Sequence, residues 1–291
     1  WLNSNHGRII AVDAPHAFHP ERFNYQQLSE KISCAASAFR SFGIQKEEVV
    51  ALFAENSPRW LIADQGIMRL DAIDAVRGSA APIEELHYIL EDSKAVALVV
   101  QTAELWEKLQ LNAEQKNRLK LVLQLEGNPA EETISWGEFL EAGINEHVSD
   151  PIKDRGLDSA GSSIATILYT SGTTGKPKGV PLSHRNLLHQ IRSLACVAYP
   201  SPGAPVLSVL PIWHSYERSA EYYFFSCACT QTYTTIKQLK FDLPKVRPVI
   251  MATVPRLWEA IQCGFDDALN EMPPVKKSFL RLALCNSGSY K

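Results

Sequence analysis

An α/β fold of layered helices and mainly parallel strands is predicted by two observations. Short apolar runs alternate with stretches of helical periodicity along most of the chain, and the helical stretches carry their own start and stop residues. Over residues 25–42, Leu28, Ile32, Ala35, Phe39 and Phe42 recur at the spacing of one helix face, and Gly43 ends the helix. Residues 49–53 form a short apolar strand. Ser57-Pro58 then supplies an N-cap followed by proline at the first helical position, opening a helix through Trp60, Ile67 and Leu70. Residues 82–90 make a further helix, 95–100 and 119–125 buried strands, and 135–142 a short helix. Between Gly127 and Gly161 the chain turns polar and acidic, so a subdomain junction is expected near residues 150–163. An apolar strand follows over 164–169. Ser183 caps a helix whose buried face is Leu187, Ile191, Leu194 and Ala198. Residues 200–205 turn, and 206–210 form a strand that ends at Pro211. Residues 249–259 suggest a strand, a proline-started turn and a helix.

Composition narrows the function classes. Hydrophobic residues make up 45% of 291, with mixed charges, as in a globular protein that buries a sizeable core. A formal net charge of −3 gives no reason to expect nucleic acid, and no apolar run is long enough to cross a bilayer. The six cysteines lack the spacing of a zinc or redox site and suit small buried hydrophobes in a reducing compartment. His16 and His19 sit in a Pro-bounded loop without acidic partners nearby, so no metal site is expected there. The chain opens on Trp1 with no basic, Ser-rich leader, so a fragment or processed chain is expected.

The stretch Tyr169-Thr170-Ser171-Gly172-Thr173-Thr174-Gly175-Lys176-Pro177-Lys178-Gly179-Val180 carries the chemistry. Glycines let the backbone turn tightly and aim several N–H groups into one concavity; hydroxyls add neutral donors, and Lys176 and Lys178 add positive charge. A polyphosphate is the ligand such a surface suits; the alternative is a polar surface hairpin. It is not a Walker A loop, because two residues rather than four separate Gly172 from Gly175, and Pro177 follows Lys176. The stretch resembles the AMP-binding signature of the adenylate-forming enzymes. That resemblance implies ATP as cosubstrate, held by Ser171, Gly172, Thr173, Thr174, Gly175, Lys176, Pro177 and Lys178, with Lys178 catalytic and Thr170 helping to hold Mg²⁺.

A second cluster, Leu210-Pro211-Ile212-Trp213-His214-Ser215-Tyr216-Glu217-Arg218, follows the end of a strand, a common way to build a pocket rim. As an isolated cluster, Trp213 and Tyr216 would pack while Glu217 and Arg218 face water. It resembles the Leu-Pro-x-x-His-x-x-Glu-Arg pattern of long-chain acyl synthetases, which implies that His214 lies beside nucleotide and acyl chain. Val254-Pro255-Arg256-Leu257 is similar to a stretch of the same enzymes, as are Asn56-Ser57-Pro58-Arg59-Trp60, Ala75-Val76-Arg77-Gly78-Ser79 and Leu86-His87-Tyr88-Ile89-Leu90. Arg77-Gly78-Ser79 and Trp213–Arg218 look closest to the plant plastid acyl-carrier-protein and acyl-CoA synthetases.

The resemblance implies an incomplete N-terminal large domain over residues 1–291. The family's Tyr-Gly-x-Thr-Glu motif, ribose aspartate and C-terminal lid domain do not occur in the sequence. It implies ATP-dependent activation of a long-chain fatty acid to acyl-AMP, then thioester formation with acyl-carrier protein or coenzyme A, in a plastid, with room for peripheral membrane association. Two alternatives stand beside it: a ligase for another carboxylic acid, and a truncated, inactive nucleotide- or partner-binding remnant.

Overall fold

The computed structural model of the chain describes residues 6–144, 161–170, 176–273 and 276. The helix predicted first is α1 (Tyr25–Ser41), opened by an Asn24 capping box with Gln27 and followed by Gly43 at φ 81°, where a Cβ would be strained. Its apolar face buries Leu28, Ala35 and Phe39; full burial of one such large side chain contributes about 1.5–3 kcal/mol. β3 (Val49–Phe53) leads to α2 (Pro58–Arg69), where the Ser57 side chain accepts from the Trp60 N–H and Pro58 opens the helix. β4 (Ile73–Arg77), α3 (Ile83–Asp92), β5 (Ala97–Val100), α4 (Ala103–Leu109), α5 (Ala113–Arg118), β6 (Leu121–Gln124), β7 (Ile134–Ser135) and α6 (Trp136–Ile144) continue the alternation. Ser135, expected inside the short helix, is the last residue of β7 instead.

β8 (Ile164–Thr170) and β9 (Lys178–Ser183) complete a seven-stranded sheet in the order β7-β6-β5-β3-β4-β8-β9. Every neighbouring pair is parallel except β8–β9. One face of the sheet packs on α1, α2 and α6, through residues such as Phe39, Trp60, Val76 and Phe139. The other packs on α3 and α4, through Phe53, Leu86, Leu98 and Trp106. After β3 the chain moves right to β4, then crosses back to β5, so the strand order reverses between β3 and β5. In open parallel sheets ligands bind outside the carboxyl ends of the strands at such a reversal.

A second sheet has the order β10-β11-β1-β2, from β1 (Ile10–Ala14), β2 (Glu21–Asn24), β10 (Pro205–Ser208) and β11 (Thr230–Tyr233). Against it and the first core lie α7 (His184–Leu194) and α8 (Ser215–Ser226). The Ser183 cap is present as a capping box with Asn186, but α7 ends at Leu194, so Cys196 lies beyond the helix and is exposed. Cys34 is half-buried with its Sγ 3.1 Å from the Leu140 carbonyl, Cys229 is buried, and Cys263 is exposed. The expectation of uniformly buried thiols is therefore corrected; Cys285 lies outside the described residues. The strand expected near 249–252 reduces to one parallel bridge between Val206 and Ile250. α9 (Leu239–Val246) packs beside β10. His16 does have an acidic partner: its Nε2 lies 2.7 Å from Asp242 Oδ2, across 226 residues.

The chain divides into two compact units, one up to Ala252 and one from Thr253. The second contains α10 (Pro255–Glu271), which starts at Pro255 as expected; Trp258 is half-exposed and its indole donates to Thr253. The junction expected near 150–163 falls almost wholly outside the described residues. No helix among them is long and apolar enough to cross a membrane.

Candidate active site

The glycine-rich stretch leaves the sheet from the carboxyl end of β8 and returns as its antiparallel neighbour. Thr170 pairs with Lys178 and Tyr169 with Gly179, so β8 and β9 are antiparallel neighbours on either side of residues 171–175. Gly179 permits this return: a Cβ there would lie 3.1–3.2 Å from Ile167 and the Tyr169 ring. The ring itself is fixed from behind, because the Tyr169 hydroxyl donates to Asp92 Oδ2 at 2.8 Å, and Tyr88 also donates to Asp92, at 3.2 Å. Lys176 is exposed with its Nζ 5.9 Å from the centroid of the Tyr88 ring, and Thr170 and Lys178 are exposed at the two ends of the turn. Ser171, Gly172, Thr173, Thr174 and Gly175 lie outside the described residues.

The second cluster converges on the same sheet edge. Asn56, just past β3, holds its start: the side-chain carbonyl accepts from the Ile212 N–H at 2.9 Å and the amide donates to the Leu210 carbonyl at 2.7 Å. Gly78, just past β4, carries the next residue. A Cβ there would lie 2.5 Å from Trp213 Cζ2, so the indole rests directly on the Gly78 backbone. His214 follows as N-cap of α8, its ring centroid 6.1 Å from that of Trp213. Partial burial pushes the imidazole pKa down, and the nearby charge of Arg77 pushes it the same way. The Asn56, Arg77-Gly78-Ser79 and Trp213-His214 stretches, separate in sequence, are one structure.

Glu217 and Arg218 do not face water. Arg218 is fully buried and joins four elements: its guanidinium contacts Asp64 of α2, Asp74 of β4 at 2.6 Å, Thr166 of β8 at 2.7 Å and Tyr222 of α8 at 2.8 Å. Tyr222 in turn donates to Asp64 at 2.5 Å, and the guanidinium lies 5.2 Å from the Trp60 ring. Burial pushes the Asp74 pKa up to about 8 against the pull of Arg218. Sequence reasoning missed this hub. The signal was present: Asp64 directly follows the apolar run Trp60-Leu61-Ile62-Ala63 and Asp74 stands inside an otherwise apolar stretch of β4, and an acid in such company needs a buried partner.

Glu217 is buried against Ser208 Oγ at 2.5 Å, and burial pushes its pKa up to about 7. A carboxyl whose folded pKa is raised contributes stability that is full below its unfolded value, near 4.5, and is lost as pH rises through 7. Glu217→Gln should therefore gain on the parent from pH 5 to pH 8, by no more than about 1.4 kcal/mol per pH unit. Urea unfolding at several pH values reads that difference directly, and a pH-independent difference would contradict it.

Comparison with known proteins agrees with this architecture. The family model described as AMP-binding enzyme matches residues 2–289. The chain is 38% identical over 300 residues to "Probable acyl-activating enzyme 16, chloroplastic" of Arabidopsis thaliana, covering 98% of this chain and 41% of that protein. It is 36% identical over 301 residues to "Long-chain-fatty-acid--[acyl-carrier-protein] ligase AEE15, chloroplastic" of the same plant, with the same coverage. The chain thus spans about two-fifths of the length of these curated relatives. Its fold matches the crystal structure of a long-chain-fatty-acid-CoA ligase (FadD1) from Archaeoglobus fulgidus, with a TM-score of 0.75 at 22% identity, over 92% of this chain and 52% of that one. A glycine-rich return between β8 and β9, a histidine-bearing rim fixed by Asn56 and Gly78, and a family match along nearly the whole sequence lead to one conclusion: this chain belongs to the AMP-binding enzyme family.

Proposed function

We propose that the protein carrying this chain joins a long-chain fatty acid to a thiol at the expense of ATP, and that these residues form part of its adenylation domain. The observation that supports this best is the placement, at the carboxyl ends of the adjacent strands β8 and β4, of Thr170 and of Gly78, on which Trp213 rests. The names of the two Arabidopsis relatives support the plastid location, and one of them names a long-chain fatty acid as the acid and acyl-carrier protein as acceptor.

The chemistry fits those residues. A carboxylate is a poor electrophile because its charge is delocalised and its leaving group would be oxide. Attack of its oxygen on the α-phosphorus of ATP breaks the bond to the β-phosphate oxygen, releases pyrophosphate and leaves an acyl-AMP mixed anhydride. A thiol sulfur then attacks the acyl carbon and AMP departs. Negative charge grows on pyrophosphate in the first step, and Lys178, the hydroxyls of Ser171, Thr173 and Thr174 and the N–H groups of Gly172 and Gly175 are the donors that stabilise it; Lys176 adds positive charge, and Pro177 lies in the same nucleotide-binding stretch. His214 is the residue of the rim assigned to the meeting of the acid's carboxylate with the nucleotide.

For Mg²⁺ the fit is partial but consistent. Thr170 presents one exposed hydroxyl at the root of the turn, and the described residues hold no cluster of three acidic, His or Cys ligands. A hard cation bound mainly by phosphate oxygens and water needs no more than that from this segment. When bound, it would neutralise phosphate charge.

The test is acid-dependent exchange of labelled pyrophosphate into ATP by the full-length protein that carries this sequence, across C8 to C18 fatty acids, an aryl acid and several amino acids. Stimulation is expected from the longer fatty acids; stimulation only by aryl or amino acids would redirect the assignment. Offering acyl-carrier protein and coenzyme A separately then identifies the thiol.

A further inference from the structure

The stretch that carries His214 has no helix or strand of its own. It runs from Ser208, the last residue of β10, to Ser215, the first of α8, and ties from outside set its course. One tie closes its base. The Ser208 hydroxyl donates to Glu217 Oε1 at 2.5 Å, so the end of β10 is joined directly to the first turn of α8. Both side chains are buried, where a hydrogen bond meets little competition from water.

The other tie grips the middle. The Asn56 amide takes the Ile212 N–H with its oxygen and the Leu210 carbonyl with its nitrogen, so only one orientation of the amide serves. Those two peptide groups flank Pro211, whose carbonyl accepts the His214 N–H at 3.1 Å. A shift at Asn56 is therefore passed to His214 through a single turn of backbone. Asn56 lies past β3 of the seven-stranded sheet, whereas the stretch it grips follows β10 of the second sheet, so one side chain registers the two. Its Nδ2 also lies 3.5 Å from Ser208 Oγ, which brings the two ties together. The His214 side chain is exposed and makes no capping bond to α8, so its place follows from the backbone beneath it.

We propose that Asn56 is a positioning residue for the adenylation step: it fixes the backbone on which His214 stands, while the Ser208–Glu217 pair closes the same stretch behind it. This deepens the function proposed above and rests on it. Peptide groups of an irregular segment need partners in any fold, so the competing role for Asn56 is a purely structural one. The two roles differ in what Asn56 is worth once His214 is gone.

Acid-dependent pyrophosphate exchange by the full-length protein carrying this chain separates them, with amide hydrogen exchange of residues 209–216 and thermal unfolding as readouts that need no activity. Asn56→Ala is expected to lower kcat about ten-fold or more, since an active-site group displaced by about 1 Å loses up to about 10²-fold. KM for ATP should stay within about two-fold of the parent, as for an interaction expressed in the transition state. Amide exchange over 209–216 should quicken. Asn56→Asp keeps the acceptor for Ile212 and loses the donor to Leu210, and should retain part of the rate. Ser208→Ala should lower kcat by a smaller factor and add little to Asn56→Ala, because both act on one stretch. In a His214→Ala background, Asn56→Ala should cost less than about three-fold, because the two residues act as a unit. A parental kcat in folded Asn56→Ala, or an equal fold-loss with and without His214, overturns the proposal and leaves the proposed function standing. If Asn56→Ala does not fold, Asn56→Asp goes through the same cycle, and an equal loss in both backgrounds overturns the proposal. A parent protein with no acid-dependent exchange overturns the function and this role together.

Discussion

Arg218→Met is expected to lower the folding free energy by about 3–5 kcal/mol, the usual cost of removing one partner from a buried ion pair. The guanidinium is fully buried with Asp64 and Asp74, so the substitution strands two carboxyls with no water to solvate them. It also removes hydrogen bonds to Thr166 and Tyr222, so α8 loses its tie to β8. Arg218→Lys keeps the charge and loses the planar fork, and should recover only part of the loss. The triple variant Arg218→Met, Asp64→Asn, Asp74→Asn should be markedly more stable than Arg218→Met alone, because the cost lies in uncompensated charge. Urea unfolding midpoints read all three. A single variant within about 0.5 kcal/mol of the parent would mean that the buried hub is not formed as described.

The second large effect is expected at Gly78. Gly78→Ala places a methyl group 2.5–2.8 Å from three atoms of the Trp213 indole, inside any real contact distance. Either the indole moves, carrying the start of α8 and His214 with it, or the backbone does. Overpacking of this kind costs about 1–3 kcal/mol. The tryptophan emission should shift, and acid-dependent exchange should fall further than the stability loss explains, because His214 follows Trp213 in the chain. In a Trp213→Ala background the same Gly78→Ala change should cost little, since the clash is then absent; that non-additivity is the signature of direct contact. Equal costs in both backgrounds would contradict the packing.

What could be read in the sequence was local. The Asn24–Gly43 helix, the Ser57-Pro58 start and the capped Ser183 helix announce themselves within a few residues. The glycine-rich stretch did so by composition, and alternation pointed to mainly parallel strands, but it passed over β4, where Asp74 and Arg77 interrupt the apolar run, and the two-residue β7. The second sheet did not. β11 is Thr230-Gln231-Thr232-Tyr233, a polar tetrapeptide buried between β10 and β1, the latter some 219 residues away by the register Val12 to Gln231. The same limit hid the roles of Arg218 and His16, whose carboxylate partners lie 144–226 residues off. An exposed reading of Glu217-Arg218 is the reasonable one for a helix judged alone. It fails because α8 is covered on nearly every side, with Glu217 to Phe224 all buried. At the site, the motifs quoted for the resemblance were legible singly, while the Gly78–Trp213 contact that joins two of them was not.

The central claim is that the turn between Thr170 and Lys178 stabilises charge on ATP. Acid-dependent pyrophosphate exchange in the full-length protein carrying this chain, compared between parent, Lys178→Ala and Thr173→Ala, tests it most directly. The account predicts that Lys178→Ala keeps the parent's unfolding free energy within about 0.5 kcal/mol, as substitutions at exposed positions do. It predicts for Lys178→Ala an exchange rate lower by roughly 10²–10³, the usual loss when one preorganised donor to a developing anion is removed. Exchange at the parental rate in both variants would contradict it.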